Sequence, residues 1–203
     1  MKVLPAGMKL MPGFLDRAEQ ETLIEEIRLR TVEAPLFVPR MPRTGKPMSV
    51  RMTNFGSLGW LTDQKDGYRY QATHPQTGKP WPNIPSQMLE LWNEHADWPE
   101  LPEACLVNYY EPSAKMGLHQ DREEQNLVAP VLSVSLGDTC LFRYGGVNRG
   151  DPTRSFKLES GDVLVLSGAS RMLFHGVDRL YPGTSTLLKR EGRINLTLRR
   201  VSP

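Results

Sequence analysis

Apolar residues in the first hundred positions of this chain recur at helical spacing. Those in the second hundred fall in short runs broken by turn residues. Leu23, Ile24 and Ile27 share one helix face behind Asp16, a capping residue with Glu19 three positions on. An amphipathic helix is therefore expected from about Arg17 to Leu29. Met88, Leu91, Trp92 and His95 form a second stripe, with Ser86 expected as its cap. Between the helices lie two stretches without period: Thr31–Pro47, carrying four prolines, and the polar, proline-rich Thr73–Pro85. Both read as loop or lid. From Ala104 the runs Cys105–Tyr110, Val131–Leu136, Cys140–Tyr144, Ser155–Leu158, Asp162–Leu166, Met172–His175 and Ile194–Arg200 alternate with Gly-Asp, Gly-Gly and Asp-Pro signals. Many short strands at such intervals predict a β-sandwich or barrel. The expectation is one domain over residues 1–203, with helices and lid in about 1–103 and a β-core in about 104–203.

Composition narrows the class. At 203 residues the chain fits a single core. No run approaches the ~20 consecutive apolar residues of a spanning helix. Pro5 and Gly7 interrupt the N-terminus before an apolar leader can form, so no signal peptide and a cytoplasmic protein are expected. The two cysteines, Cys105 and Cys140, sit in apolar runs and read as small buried strand residues. A net charge of +2 excludes nothing by itself. Its distribution says more: Arg28, Arg30, Arg40, Arg43, Lys46 and Arg51 cluster early, and Lys189, Arg190, Arg193, Arg199 and Arg200 late. Such patches can attract phosphates, but taken by themselves they read as solvated faces.

The candidate chemistry begins with His119-Gln120-Asp121. Residues two apart on an extended segment point the same way. His175 closes an apolar run on a different strand, and only four histidines exist in the chain. Two imidazoles and one carboxylate are the donor set of a facial triad, suited to Fe(II) and also acceptable to Zn(II) or Mn(II). Near the C-terminus, alternation puts Ile194, Leu196 and Leu198 on one strand face and Arg193, Asn195, Thr197 and Arg199 on the other. Guanidinium forks fit carboxylates, so a small diacid would satisfy them; an exposed edge strand would satisfy them with water. Asn108 and Tyr110 share a face just ahead of the His-x-Asp segment and extend the same polar set.

These residues resemble the bacterial AlkB-type nucleic-acid demethylases, a branch of the Fe(II)/2-oxoglutarate dioxygenases. The resemblance runs through Asn108-Tyr109-Tyr110-Glu111-Pro112, Leu118-His119-Gln120-Asp121, Ala129–Gly137, Gly145-Gly146, Gly161-Asp162, His175-Gly176 and Arg193–Arg199. Upstream it includes Met52–Gly56, Leu58-Gly59-Trp60, Gly67-Tyr68-Arg69-Tyr70 and Pro75–Pro82, so it covers most of the chain from about Met48.

It implies a mostly β, α+β fold: a double-stranded β-helix (jelly-roll) core with an N-terminal nucleotide-recognition lid. It implies Fe(II) on His119, Asp121 and His175, and 2-oxoglutarate held by Asn108, Tyr110, Arg193, Asn195 and Arg199. O2 would be consumed with 2-oxoglutarate, giving succinate and carbon dioxide, and an N-methyl group would leave as formaldehyde. The implied partner is alkylated single- or double-stranded DNA, possibly RNA, met by a monomer away from membranes. Trp60, Tyr68 and Arg149 match substrate-side positions. Glu123 stands where similar proteins commonly carry an aspartate near the base. Two rivals stay open at this point: an oxygenase of small molecules or protein side chains, and a non-catalytic metal- or nucleic-acid-binding jelly roll.

Overall fold

The computed structural model describes residues 4–203. Two antiparallel sheets face each other. The larger has six strands in the order β1 (Met8–Met11), β10 (Val163–Leu166), β7 (Val131–Gly137), β12 (Arg193–Arg199), β5 (Ala104–Tyr110), β2 (Val50–Gly56). The smaller has four, β6 (Met116–His119), β11 (His175–Tyr181), β8 (Thr139–Tyr144) and β9 (Arg154–Leu158). A separate hairpin, β3 (Gly59–Asp63) and β4 (Gly67–Gln71), stands in front. The jelly-roll expectation from the sequence is met.

Strand alternation decides what each face of the large sheet touches. Leu132 and Val134 of β7, Val163 and Val165 of β10, and Leu196 and Leu198 of β12 pack with Leu23, Ile24, Ile27, Met88 and Trp92 from the two helices. The opposite face turns Val131, Leu164 and Leu166 toward Phe142, Leu158 and Val177 of the small sheet. Polar residues of that same inward face gather on β12 and on its neighbours β5 and β7. Burying a large aliphatic side chain is worth about 1.5–3 kcal/mol, so the helix layer and the inter-sheet layer together dominate the fold.

Helix α1 spans Arg17–Glu33. Its start follows the expected capping box: Asp16 accepts from the Glu19 N–H at 2.9 Å and Glu19 returns the bond at 2.7 Å. It runs four residues past the expected end. Thr31, Val32 and Glu33 lack the apolar period yet stay helical until Ala34, where Pro35 disfavours helical geometry for the residue before it. Helix α2 is Ser86–His95, but its cap is Pro85, without a side-chain bond; Ser86 is the first helical residue rather than the cap.

Two expectations need correction. The first hundred residues are not only helices and lid, because β1 and β2 join the large sheet as its two edge strands. And the run Met172-Leu173-Phe174 is not a strand. Met172 ends a turn, Leu173 and Phe174 are irregular, with Leu173 N–H on Ser170 O and Phe174 N–H on Gly146 O, and β11 begins at His175. Both cysteines are buried and free, as their apolar surroundings suggested. Among the described residues no helix is long and apolar enough to cross a membrane.

Candidate metal and cosubstrate site

Pairing register builds the site. β6 and β11 run antiparallel with His119 directly opposite His175. Their rings lie 4.7 Å apart, centroid to centroid. This close approach needs Gly176, since a Cβ there would stand 2.5 Å from Met116 O. Asp121 follows β6 by two residues and turns inward. His119 Nε2 is 3.6 Å from Asp121 Oδ1, and His175 Nε2 is 3.6 Å from Oδ2. One ligand atom from each of the three residues falls within 4.8 Å of the others. Each imidazole places its Nδ1 on the carbonyl two residues earlier, His119 on Gly117 O at 2.9 Å and His175 on Leu173 O at 3.0 Å. That arrangement fixes the tautomer and leaves both Nε2 atoms as donors toward one point. The side chain of Asp121 is 3% exposed while that of His119 is 40% exposed, so the cluster opens on the His119 side.

The same register logic assembles the polar wall. On β12 and β5, Arg193 faces Tyr110 and Asn195 faces Asn108; on β7, Asn195 faces Ser135 and Thr197 faces Ser133. Asn108, Tyr110, Arg193, Asn195 and Arg199 line one pocket together with His119, Asp121 and His175. All eight residues expected at the metal and cosubstrate are thus brought together.

The two arginines differ. Arg199 donates to Asp121 Oδ1 at 2.6 Å, Glu124 Oε1 at 2.8 Å and the Tyr70 hydroxyl oxygen at 3.1 Å. Arg193, fully buried, donates one N–H group to Ser135 Oγ at 2.6 Å and Asn195 Oδ1 at 3.3 Å, while its Nε and other terminal nitrogen have no partner. Buried guanidinium donors without acceptors are costly unless an anion completes them. A carboxylate of a small diacid supplies the missing acceptors.

Electrostatics agree with metal ligation. Burial opposes ionisation of Asp121, but Arg199, both imidazoles and Arg171 outweigh it and hold the carboxyl below the usual range. Burial pushes His175 down to about 4, against the pull of Asp121, so the ring is neutral and its lone pair available near neutral pH. Burial raises the Glu123 carboxyl, and Arg199 offsets this only in part.

The substrate-side residues lie apart from the wall. Trp60 and Tyr68 sit on the β3–β4 hairpin with rings stacked 5.8 Å apart at 29°. Tyr68 is exposed; Trp60 is half-buried, packs against Leu61 and its neighbours, and carries an indole N–H with no partner. Arg149 is exposed, its guanidinium 5.0 Å over the ring of Phe174, the residue before His175.

Sequence reasoning missed Glu124, Arg171, Tyr70 and Ser135. Arg171 is buried and donates to the Asp121 and Ala129 carbonyls at 2.6 and 2.8 Å and to Glu124 Oε2 at 3.3 Å. No local pattern marks them: the adjacent acids Glu123 and Glu124 do not by themselves say which carboxylate turns inward.

Comparison with known proteins agrees with this geometry. The family model of the 2OG-Fe(II) oxygenase superfamily matches residues 7–199. An "Alpha-ketoglutarate-dependent dioxygenase AlkB homolog" of Caulobacter vibrioides is 53% identical over 98% of this chain and 90% of its own length. The Escherichia coli protein named "Alpha-ketoglutarate-dependent dioxygenase AlkB" is 41% identical over 97% of this chain and 91% of its own. An Arabidopsis thaliana relative named "DNA N(6)-methyladenine demethylase ALKBH1C" is 30% identical across 98% of this chain, which spans 49% of it. The solved structure of OsALKBH1 superposes with a TM-score of 0.80 at 34% identity, covering 98% of this chain and all of that one. The chain belongs to the AlkB-type branch of the 2OG-Fe(II) oxygenase superfamily.

Proposed function

We propose that this dioxygenase removes N-alkyl groups from the bases of DNA, and of RNA as a second substrate, by oxidative demethylation. The balance is one N-methyl base, one O2 and one 2-oxoglutarate converted to the free base, formaldehyde, succinate and carbon dioxide. The observation that carries the reading is the unmatched guanidinium of Arg193, buried in the same pocket as the His119, Asp121 and His175 cluster. A metal site with a diacid anchor beside it is what a 2-oxoglutarate oxygenase requires.

In this reading His119, Asp121 and His175 hold the metal, with both imidazoles neutral and Asp121 ionised. Arg193 receives the far carboxylate of 2-oxoglutarate, and Asn108, Tyr110 and Asn195 line its length with hydrogen-bonding groups. Arg199 holds Asp121 and closes the metal end. An Fe(II) held by these three residues would supply the activation of oxygen that is coupled to 2-oxoglutarate oxidation.

The substrate assignment draws on the relatives' names and on groups outside the pocket. An alkylated base has lost part of its pairing edge, so its extrusion costs less. The Trp60–Tyr68 pair offers an outer ring face for it, since the two rings already contact each other. Glu123 supplies a carboxylate near a cationic methylated ring, and Arg149 a phosphate contact. The protein acts as a cytoplasmic monomer in this account.

The test is formaldehyde release from a single-stranded oligonucleotide carrying 1-methyladenine, with iron and 2-oxoglutarate supplied. Wild type should release it in step with succinate, and His175→Ala should not. If methylated DNA and RNA both leave formaldehyde at background while succinate still forms, the substrate is something other than a nucleic acid.

A further inference from the structure

Behind the metal cluster lies a chain of buried polar groups, of which Asp121 and Arg199 also line the pocket while Glu124, Arg171 and Tyr70 do not. Glu124 Oε1 accepts from the Tyr70 hydroxyl at 2.6 Å and from Arg199 at 2.8 Å; its Oε2 accepts from Arg171 at 3.3 Å. Arg199 spends its other terminal nitrogen on Asp121 Oδ1 at 2.6 Å, and Arg171 reaches the Asp121 carbonyl at 2.6 Å. Two carboxylates and two guanidiniums thus balance in a space where Glu124 and Asp121 are all but inaccessible. One member is foreign to the core: Tyr70 belongs to β4, paired in register with Trp60 of β3.

We infer that Glu124 and Tyr70 are positioning residues that act through Arg199 on the metal ligand Asp121, and that they tie the base-reading hairpin to the metal site. The inference deepens the proposed function and rests on its metal assignment. The physical reason is the rigidity of the guanidinium. It is planar, so fixing one terminal nitrogen between Glu124 and Tyr70 fixes where the other can meet Asp121. Arg199 occupies Oδ1 and thereby sets the direction in which Oδ2 is presented. Glu124 therefore controls the orientation of a carboxylate it does not touch. Tyr70 extends that control to the hairpin, and by linkage the effect must run both ways: whatever orders Asp121 also steadies β4.

The test uses Mn(II) as probe on the full chain and no nucleic acid, so the fate of the base-repair reading does not affect it. Two measurements are made on wild type, Glu124→Gln and Tyr70→Phe: the Mn(II) dissociation constant in the presence of 2-oxoglutarate, and amide hydrogen exchange across β3 and β4 with and without metal. Disturbing groups that orient a ligand typically costs about 10–100-fold in metal affinity. E124Q should lose that much. Y70F, which keeps its ring and loses only the hydroxyl, should lose less. Wild type should show slower exchange in β4 on metal loading, and Y70F should not. A merely structural role predicts a lower Tm with unchanged Mn(II) affinity and unchanged exchange response, and that result overturns the inference. Should E124Q fail to fold, Y70F decides alone: wild-type Mn(II) affinity together with a wild-type exchange response sinks the proposal.

Discussion

Arg193 and Arg199 occupy the two ends of one strand, on the same face, and both are buried. Their surroundings are opposite. At the Arg199 end the chain supplies the counter-charges itself, Asp121 and Glu124, and Tyr70 adds a third partner. At the Arg193 end it supplies two neutral oxygens and leaves two nitrogens, Nε and one terminal nitrogen, without acceptors. The first arrangement meets both terminal nitrogens with the chain's own acceptors and leaves Nε alone without a partner. The second is finished only by something that arrives. Equal burial and equal residue type therefore carry different meanings, and the count of unmet donors separates them.

The largest effect expected from this contrast is on stability at the saturated end. Arg199→Met leaves two buried carboxylates, Asp121 and Glu124, with Arg171 as their one remaining guanidinium, and breaking such a network costs about 3–5 kcal/mol. Denaturant unfolding should show it without any ligand present. A variant as stable as wild type would mean that Arg199 is not the keystone of that end.

Arg193→Met should do the reverse. It removes a charge that nothing in the protein fully matches, so stability without ligand should hold or rise. The loss appears in 2-oxoglutarate binding, by about 2–5 kcal/mol, read by titration. Saturating 2-oxoglutarate should raise the Tm of wild type and leave that of R193M nearly unmoved. A stability loss in R193M equal to that in R199M would erase the distinction between the two ends.

Trp60→Ala sharpens the comparison from outside the strand. Stacking is worth roughly 1–3 kcal/mol per base. Turnover on methylated oligonucleotide should fall accordingly, while 2-oxoglutarate binding at the Arg193 end stays as it was. Because Trp60 also packs in the hairpin's own apolar cluster, a parallel Tm measurement separates lost stacking from lost packing.

The smallest effect concerns a hydrogen-bonded acid that does not line the pocket. Glu103 accepts from the Val201 and Ser202 N–H groups at 2.9 and 2.6 Å and from the Ser202 hydroxyl at 2.8 Å. Burial raises its pKa, but these bonds and Arg200 outweigh it and hold the carboxyl below its ordinary value. A depressed folded pKa contributes stability above the ordinary carboxylate range, lost as pH falls through the folded value. The Tm difference between wild type and Glu103→Gln should therefore be present at pH 7 and shrink on acidification below about pH 4.

The sequence discloses the strand that bears both arginines, because β12 has one face against helices and one lining a pocket, and alternation follows. It hides β2. Val50, Met52 and Phe55 of that strand fall in three different apolar clusters, and Met52–Phe55 is buried on both sides, so it shows no period of two. It hides β1 as well, a four-residue edge strand paired only to β10. At the site, His119, Asp121 and His175 were legible from spacing and residue type. Their pairing was not, since it depends on the register of β6 against β11. Glu124 and Arg171 were invisible for a related reason. A buried ion pair between residues 47 positions apart leaves no local pattern.

Both imidazoles of the metal cluster take their orientation from main-chain carbonyls, those of Gly117 and Leu173. No side-chain substitution can delete those acceptors. The tautomers are thus insulated from point mutation in a way that ligands braced by aspartate or glutamine are not. Only a change that moves the backbone can retune them. Gly117 has open space where a Cβ would go, whereas Gly176 has none. An engineer seeking to alter the donor strength of the imidazoles has one strand crossing to work with, and its tolerance is asymmetric: permissive on β6, forbidding on β11.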